Sequence, residues 1–184
     1  MTDIEATARL ADPSPDHSFA SSTRTMVSTS HPLATEAAMD MLSRGGSAAD
    51  AYVAAAAVQV VVEPPMTTFG GGLGMNWFDR SLGEGHGYAG AFLPPAAETG
   101  DWDEAGINSG RTACVPLWLR GAQIALRERG RLPWADHFEH ALALAEEGFV
   151  IDATLWGWVF EYRLKLGRFP EGQATWYPDG HLLN

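Results

Sequence analysis

Residues 47–78 read Ser47-Ala48-Ala49-Asp50-Ala51-Tyr52-Val53-Ala54-Ala55-Ala56-Ala57-Val58-Gln59-Val60-Val61-Val62-Glu63-Pro64-Pro65-Met66-Thr67-Thr68-Phe69-Gly70-Gly71-Gly72-Leu73-Gly74-Met75-Asn76-Trp77-Phe78. Ser47 is placed to cap a helix, with Asp50 three residues on in a capping-box position. Ala51 to Val62 is almost continuously apolar, so that helix should be buried on most sides. Glu63-Pro64-Pro65 ends it, and Gly70 to Gly74 forms a loop leading into Met75 to Phe78, a segment with strand character. A buried helix, a glycine loop and a strand thus follow one another in this stretch.

Working outward, His31-Pro32 opens a helix through Leu42, where Pro32 suits the first turn and Gly45-Gly46 stops it after Arg44. Ser81 to Gly85 reads as a hairpin turn and His86 to Phe92 as a second strand, stopped by Pro94-Pro95. A polar stretch from Glu98 to Arg111 follows. Leu117 to Arg129 and Trp134 to Glu147 have helical apolar spacing, and Asp152 can cap a further helix into Lys165. The last segment, from Arg168, holds the turn Pro178-Asp179-Gly180. Residues 1–22, with Pro13, Pro15 and a Ser-rich end, read as a polar arm before a body spanning 23–184.

Composition excludes several function classes. With 184 residues, 46% of them apolar and 19% charged, the chain can bury a core. Lys+Arg 12 against Asp+Glu 23 leaves a net charge of -11, and no window clusters arginine with aromatics, which disfavours nucleic acid as a partner. The longest apolar run is too short to cross a bilayer and no export signal is evident, so no membrane partner is expected. The single Cys114 allows no internal disulfide and fits a cytoplasmic location.

Taken residue by residue, the chain offers no complete catalytic set. Gly70 to Gly74 runs from a helix into a strand and lacks Gly-Lys-Ser/Thr, so it fails the context of a phosphate loop; its glycines suit close backbone approach, near an active site or otherwise. His137 and His140 share a helical face without a third ligand and read as a solvated surface; no metal or other cofactor is expected. Cys114 reads as a small packed residue, and Trp156, Trp158 and Phe160 as core or interface.

Several segments, in order, resemble the N-terminal part of the first chain of the gamma-glutamyltransferase family of N-terminal-nucleophile hydrolases. Met26 to Ala34 resembles "M-V-S-S-S-H-P-L-A", and Met41 to Ala51 resembles "I-L-x-x-G-G-N-A-V-D-A". Val61-Val62-Glu63-Pro64 with Phe69-Gly70-Gly71-Gly72 resembles "V-V-E-P-x-x-x-G-I-G-G-G-G". Pro94 to Ala97 stands at the family's "A-P-A-A", Leu132-Pro133-Trp134 at "L-P-W", Ala145 to Phe149 at "A-E-x-G-F", and Tyr177-Pro178-Asp179-Gly180 at a late landmark.

The resemblance implies an α+β fold, part of a four-layer αββα sandwich completed by another chain, formed by autoprocessing of a precursor. The nucleophile it implies is a Thr at the N-terminus of that second chain, with its own α-amine as base, so no catalytic residue is expected in this one. Thr2 opens a polar arm and is a poor candidate. The family strand carries "D-G-R-E-T", whose Arg pairs with the α-carboxylate of the γ-glutamyl group; here the position holds Ala91, followed by Phe92. Ala91 and Phe92 are therefore expected to line an acyl pocket, with Gly70, Gly71 and Gly72 beside it. Met66, Thr67 and Thr68, where the family often has Ser-Ser-Gly, make the wall more apolar. The implied substrate is a small-molecule amide or related acyl compound, its acyl part not γ-glutamyl, with hydrolysis favoured over transfer. The alternative is a non-catalytic binding or assembly subunit that retains the fold. The helix Ala51–Val62 and the strand Met75–Phe78 are expected to bury faces against elements outside this chain, leaving the chain alone only marginally folded.

Overall fold

The computed structural model describes residues 20–90, 93–107 and 109–181. It is a mixed helical and sheet structure. Helix α1, Pro32–Ser43, has Pro32 in its first turn and His31 as its cap, the Nδ1 of His31 accepting from the Leu33 N–H. It stops in a Schellman turn: Gly46 N–H donates to Met41 C=O, Gly45 N–H donates to Leu42 C=O, and Gly45 takes φ 87°. Helix α2, Ala48–Val62, carries the full capping box of Ser47 and Asp50.

Helix α2 is the centre of the core. Its buried face runs through Ala49 to Ala51 and Val53 to Val58, and α1 covers one side with Ala34, Ala37, Ala38 and Met41. Alanines on both helices let the axes approach closely. Helix α4, Trp118–Arg129, and helix α5, Glu139–Glu147, pack on the remaining sides together with the 3₁₀ turn Trp134–Phe138. The apolar surface of α2 is thus covered within the chain, which corrects the expectation that it depends on outside elements. Each fully buried valine on it contributes about 1.5–3 kcal/mol.

Strands β1, Gly74–Asp79, and β2, Glu84–Ala89, form an antiparallel hairpin with Trp77 opposite His86 and Met75 opposite Tyr88. That face turns inward, and Arg129 of α4 lies over the Trp77 ring at 5.0 Å and pairs with Asp79 at 3.3 Å. The opposite face pairs Asn76 with Gly87 and Phe78 with Gly85, and Phe78 is exposed. Strand β2 begins two residues before the predicted start, and Ala91 and Phe92 lie outside the described residues.

Two predicted helices differ in form. The segment from Trp134 begins as a 3₁₀ turn before α5, and the segment capped by Asp152 divides into α6, Ala153–Glu161, and α7, Arg163–Leu166, at Tyr162. Helix α8, Pro170–Trp176, with Pro170 in its first turn, precedes the turn at Pro178 in the segment that the sequence reads without a helix. Short helix α3, Glu104–Ile107, lies in the polar stretch. Trp156 and Phe160 stack at 5.2 Å on the exposed face of α6, while Leu155 and Val159 face inward. Residues 1–19 of the predicted arm lie outside the described residues.

Candidate functional site

The glycine loop is held at both ends by backbone bonds. Glu63 C=O accepts from Met66 and Thr67 N–H at the exit of α2. Gly71 C=O accepts from both Leu117 N–H, 2.9 Å, and Trp118 N–H, 3.0 Å, satisfying the start of α4, which has no side-chain cap. Those helix donors are therefore committed to the loop and not offered to a phosphate.

Leu73 runs next between β2 and α4 at backbone distance. Its C=O accepts from Gly90 N–H at 3.0 Å. A Cβ on Gly90 would stand 2.4 Å from that oxygen, and one on Gly121 of α4 would stand 2.8 Å from it. Both glycines are thus required by the close passage of Leu73.

Of the expected site residues, Gly70 is exposed, Gly71 buried and Gly72 half-buried. Ala91 and Phe92 lie outside the described residues, yet the residues flanking them are placed: Gly90 on Leu73, and Leu93 bridged to Val115 with Val115 N–H donating to Leu93 C=O at 2.9 Å. Phe69 sits edge-on to the buried Trp118 ring at 4.9 Å. Phe69, Leu93 and Val115 leave apolar surface exposed around the start of α4. The segment after Leu93 is closed on itself by an Arg111–Glu98 ion pair at 2.9 Å.

Two polar constellations were not legible in the sequence. His137, read there as a solvated surface residue, is 1% exposed and bonds Asp50 Oδ1 through Nε2 at 2.8 Å. Its Nδ1 lies 3.2 Å from Trp134 C=O, so both ring nitrogens have a polar partner. Burial pushes the Asp50 carboxyl up, but bonds from the Ser47 backbone and hydroxyl, His137 and Leu132 outweigh it and hold the group below its ordinary range. His140, by contrast, is half-exposed and bonds Asp40 at 3.1 Å. The second constellation joins Ser30, Gln59 and Glu63: Ser30 Oγ donates to Glu63 Oε2 at 2.5 Å and accepts from Gln59 Nε2 at 2.7 Å. Among the described residues no group of three His, Cys, Asp or Glu is arranged to hold a metal ion, and no helix is long and apolar enough to cross a membrane.

The gamma-glutamyltranspeptidase family profile matches residues 34–184. The chain belongs to the gamma-glutamyltranspeptidase family. It is 35% identical over 168 residues to a glutathione hydrolase proenzyme of Bacillus subtilis, covering 86% of this chain and 28% of that protein. It is 32% identical over 190 residues to the acylase ACY 1 proenzyme of a Pseudomonas species, covering 95% of this chain and 34% of that protein. The chain therefore spans about a third of the length of these curated gamma-glutamyltranspeptidase relatives. The solved transpeptidase CapD of Bacillus anthracis superposes with a TM-score of 0.73 at 28% identity, over 86% of this chain and 51% of that one. The gamma-glutamyltranspeptidase of Helicobacter pylori, at 24% identity, shares the fold with a TM-score of 0.81, over 89% of this chain and 49% of that one.

Proposed function

We propose that this chain is the N-terminal portion of a gamma-glutamyltransferase-like amide hydrolase or acyltransferase, completed by a second chain that bears an N-terminal Thr nucleophile. The ordered family match over most of the chain supports this, as do relatives named as a glutathione hydrolase, an acylase and a capsule biosynthesis protein. The word proenzyme in those three names fits a precursor divided by autoprocessing, and the four-layer αββα sandwich would then be shared between the two chains in a heterodimer. The location we assign, on the single Cys114, is the cytoplasm.

The observation that carries the substrate reading is Ala91 in the position of the family's carboxylate-binding Arg. A methyl group beside Phe92 cannot replace a bidentate ion pair, so the acyl part is neutral or apolar rather than γ-glutamyl. On this reading Ala91 and Phe92, by their place in the sequence, are assigned to the acyl pocket, and Gly70, Gly71 and Gly72 to the loop near it. The exposed Phe69, Leu93 and Val115 fit an apolar rim. Hydrolysis is favoured over transfer to an amine.

The test is co-expression with a Thr-initiated companion chain and a comparison of anilides differing only in the acyl group. γ-Glutamyl anilide should be turned over less efficiently than an apolar acyl anilide, by a margin matching about 2–4 kcal/mol of lost transition-state binding. Thr→Ala in the companion should abolish activity, while Cys114→Ala and Thr2→Ala leave it intact. Efficient, saturable glutamyl turnover unaffected by Ala91→Ser or Phe92→Leu would overturn the acyl assignment.

A further inference from the structure

Glu63 is 5% exposed, and among the described residues its carboxylate hydrogen-bonds only the neutral Ser30 and Gln59. Ser30 Oγ donates to Oε2, and Gln59 Nε2 reaches the same oxygen at 3.3 Å. Among the described residues no Arg, Lys or His nitrogen forms an ion pair with it. Asp50, the other deeply buried carboxylate, has His137 and backbone donors from Ser47, Arg131 and Leu132. A carboxylate taken out of water is ordinarily held by a counter-charge or a full set of donors. Glu63 has neither.

Nothing in the local fold requires a charge there. The backbone of Glu63 performs the structural work, its N–H donating to Gln59 C=O and its C=O accepting from Met66 and Thr67. A glutamine would keep the contact with Ser30. Ser30 is exposed and Gln59 half-buried, so the carboxylate lies one side chain below the surface.

We propose that Glu63, with Ser30 and Gln59, is the receptor for a cationic nitrogen group, an ammonium or a guanidinium, brought by a second molecule. The carboxylate supplies the charge, and the Ser30 hydroxyl and Gln59 amide hold it in place. The group comes either from an Arg or Lys of a companion chain or from a small amine.

The test uses the chain as it stands and Glu63→Gln, melted in methylammonium chloride and in tetramethylammonium chloride at equal ionic strength. The second cation carries the same charge but cannot donate a hydrogen bond. Methylammonium should raise the melting temperature of the wild type and leave Glu63→Gln unmoved. Without added amine, Glu63→Gln should melt higher than the wild type by about 2–4 °C, because an uncompensated charge has been removed. In co-expression, assembly weakened at least about tenfold by Glu63→Gln assigns the cation to the companion, whereas unchanged assembly with methylammonium protection assigns it to a small amine. A wild type indifferent to methylammonium, whose assembly is also untouched by Glu63→Gln, would overturn the proposal. These readouts involve no catalysis, so a failure here is separable from a failure of the acyl-transfer reading.

Discussion

Nε2 of His137 lies 2.8 Å from Oδ1 of Asp50 across 87 residues of sequence, with both side chains at 0% exposure. Asp50 also accepts from Ser47, Arg131 and Leu132, so one carboxylate joins the start of α2 to the turn after α4 and to the 3₁₀ turn before α5. Removing His137 takes a side-chain donor from a carboxylate buried in the interior and leaves a gap beside it. His137→Ala should lower the unfolding free energy by about 3–5 kcal/mol in urea titrations. His140→Ala, on the half-exposed pair with Asp40, should cost less than about 1 kcal/mol.

The same pair sets an acid limb of stability. The folded carboxyl of Asp50 titrates below its unfolded value, so its contribution is complete above about pH 4 and is lost as pH falls through the folded value. Urea midpoints measured from pH 6 down to pH 2 should decline more steeply in the wild type than in Asp50→Asn. Equal slopes would show that the burial of Asp50 is not coupled to its ionisation.

Two helical glycines should respond in opposite directions to the same substitution. Gly121→Ala would drive a Cβ to 2.8 Å from the Leu73 carbonyl, whereas Gly157 of α6 has nothing within 4 Å. Gly157→Ala should stabilise the chain by about 0.5–1 kcal/mol through helix propensity alone. Gly121→Ala should destabilise it despite the same gain in propensity. Thermal melts of the two variants check the sign.

The chain by itself should bind a hydrophobic dye. Phe78 on the outer face of the hairpin, Leu164 on α7, Phe169 before α8 and the stacked Trp156 and Phe160 are all exposed. Exposed aromatic and aliphatic side chains of this size take up such a dye, and a companion chain that packs on them would displace it. Anilinonaphthalene fluorescence should be high for the chain alone and fall when a companion chain is added. The helical core should nonetheless melt cooperatively, because α2 is covered within the chain by α1, α4 and α5.

What the sequence determined by itself is local. Pro32, the Ser47–Asp50 capping box and the Gly45-Gly46 stop act within a few residues of the backbone they control, so α1 and α2 could be bounded from spacing alone. The ordered motifs likewise placed the chain in its family. Tertiary structure decided the rest. His137 looks like a surface residue until the turn carrying it folds onto Asp50, and Glu63 looks like a helix end until Ser30, 33 residues away, closes over it. Gly90 and Gly121 carry no local requirement for glycine in their sequence; only the passage of Leu73 between β2 and α4 imposes one. A hydrogen bond or a backbone contact depends on position in space, and these partners become neighbours only after the helices have packed.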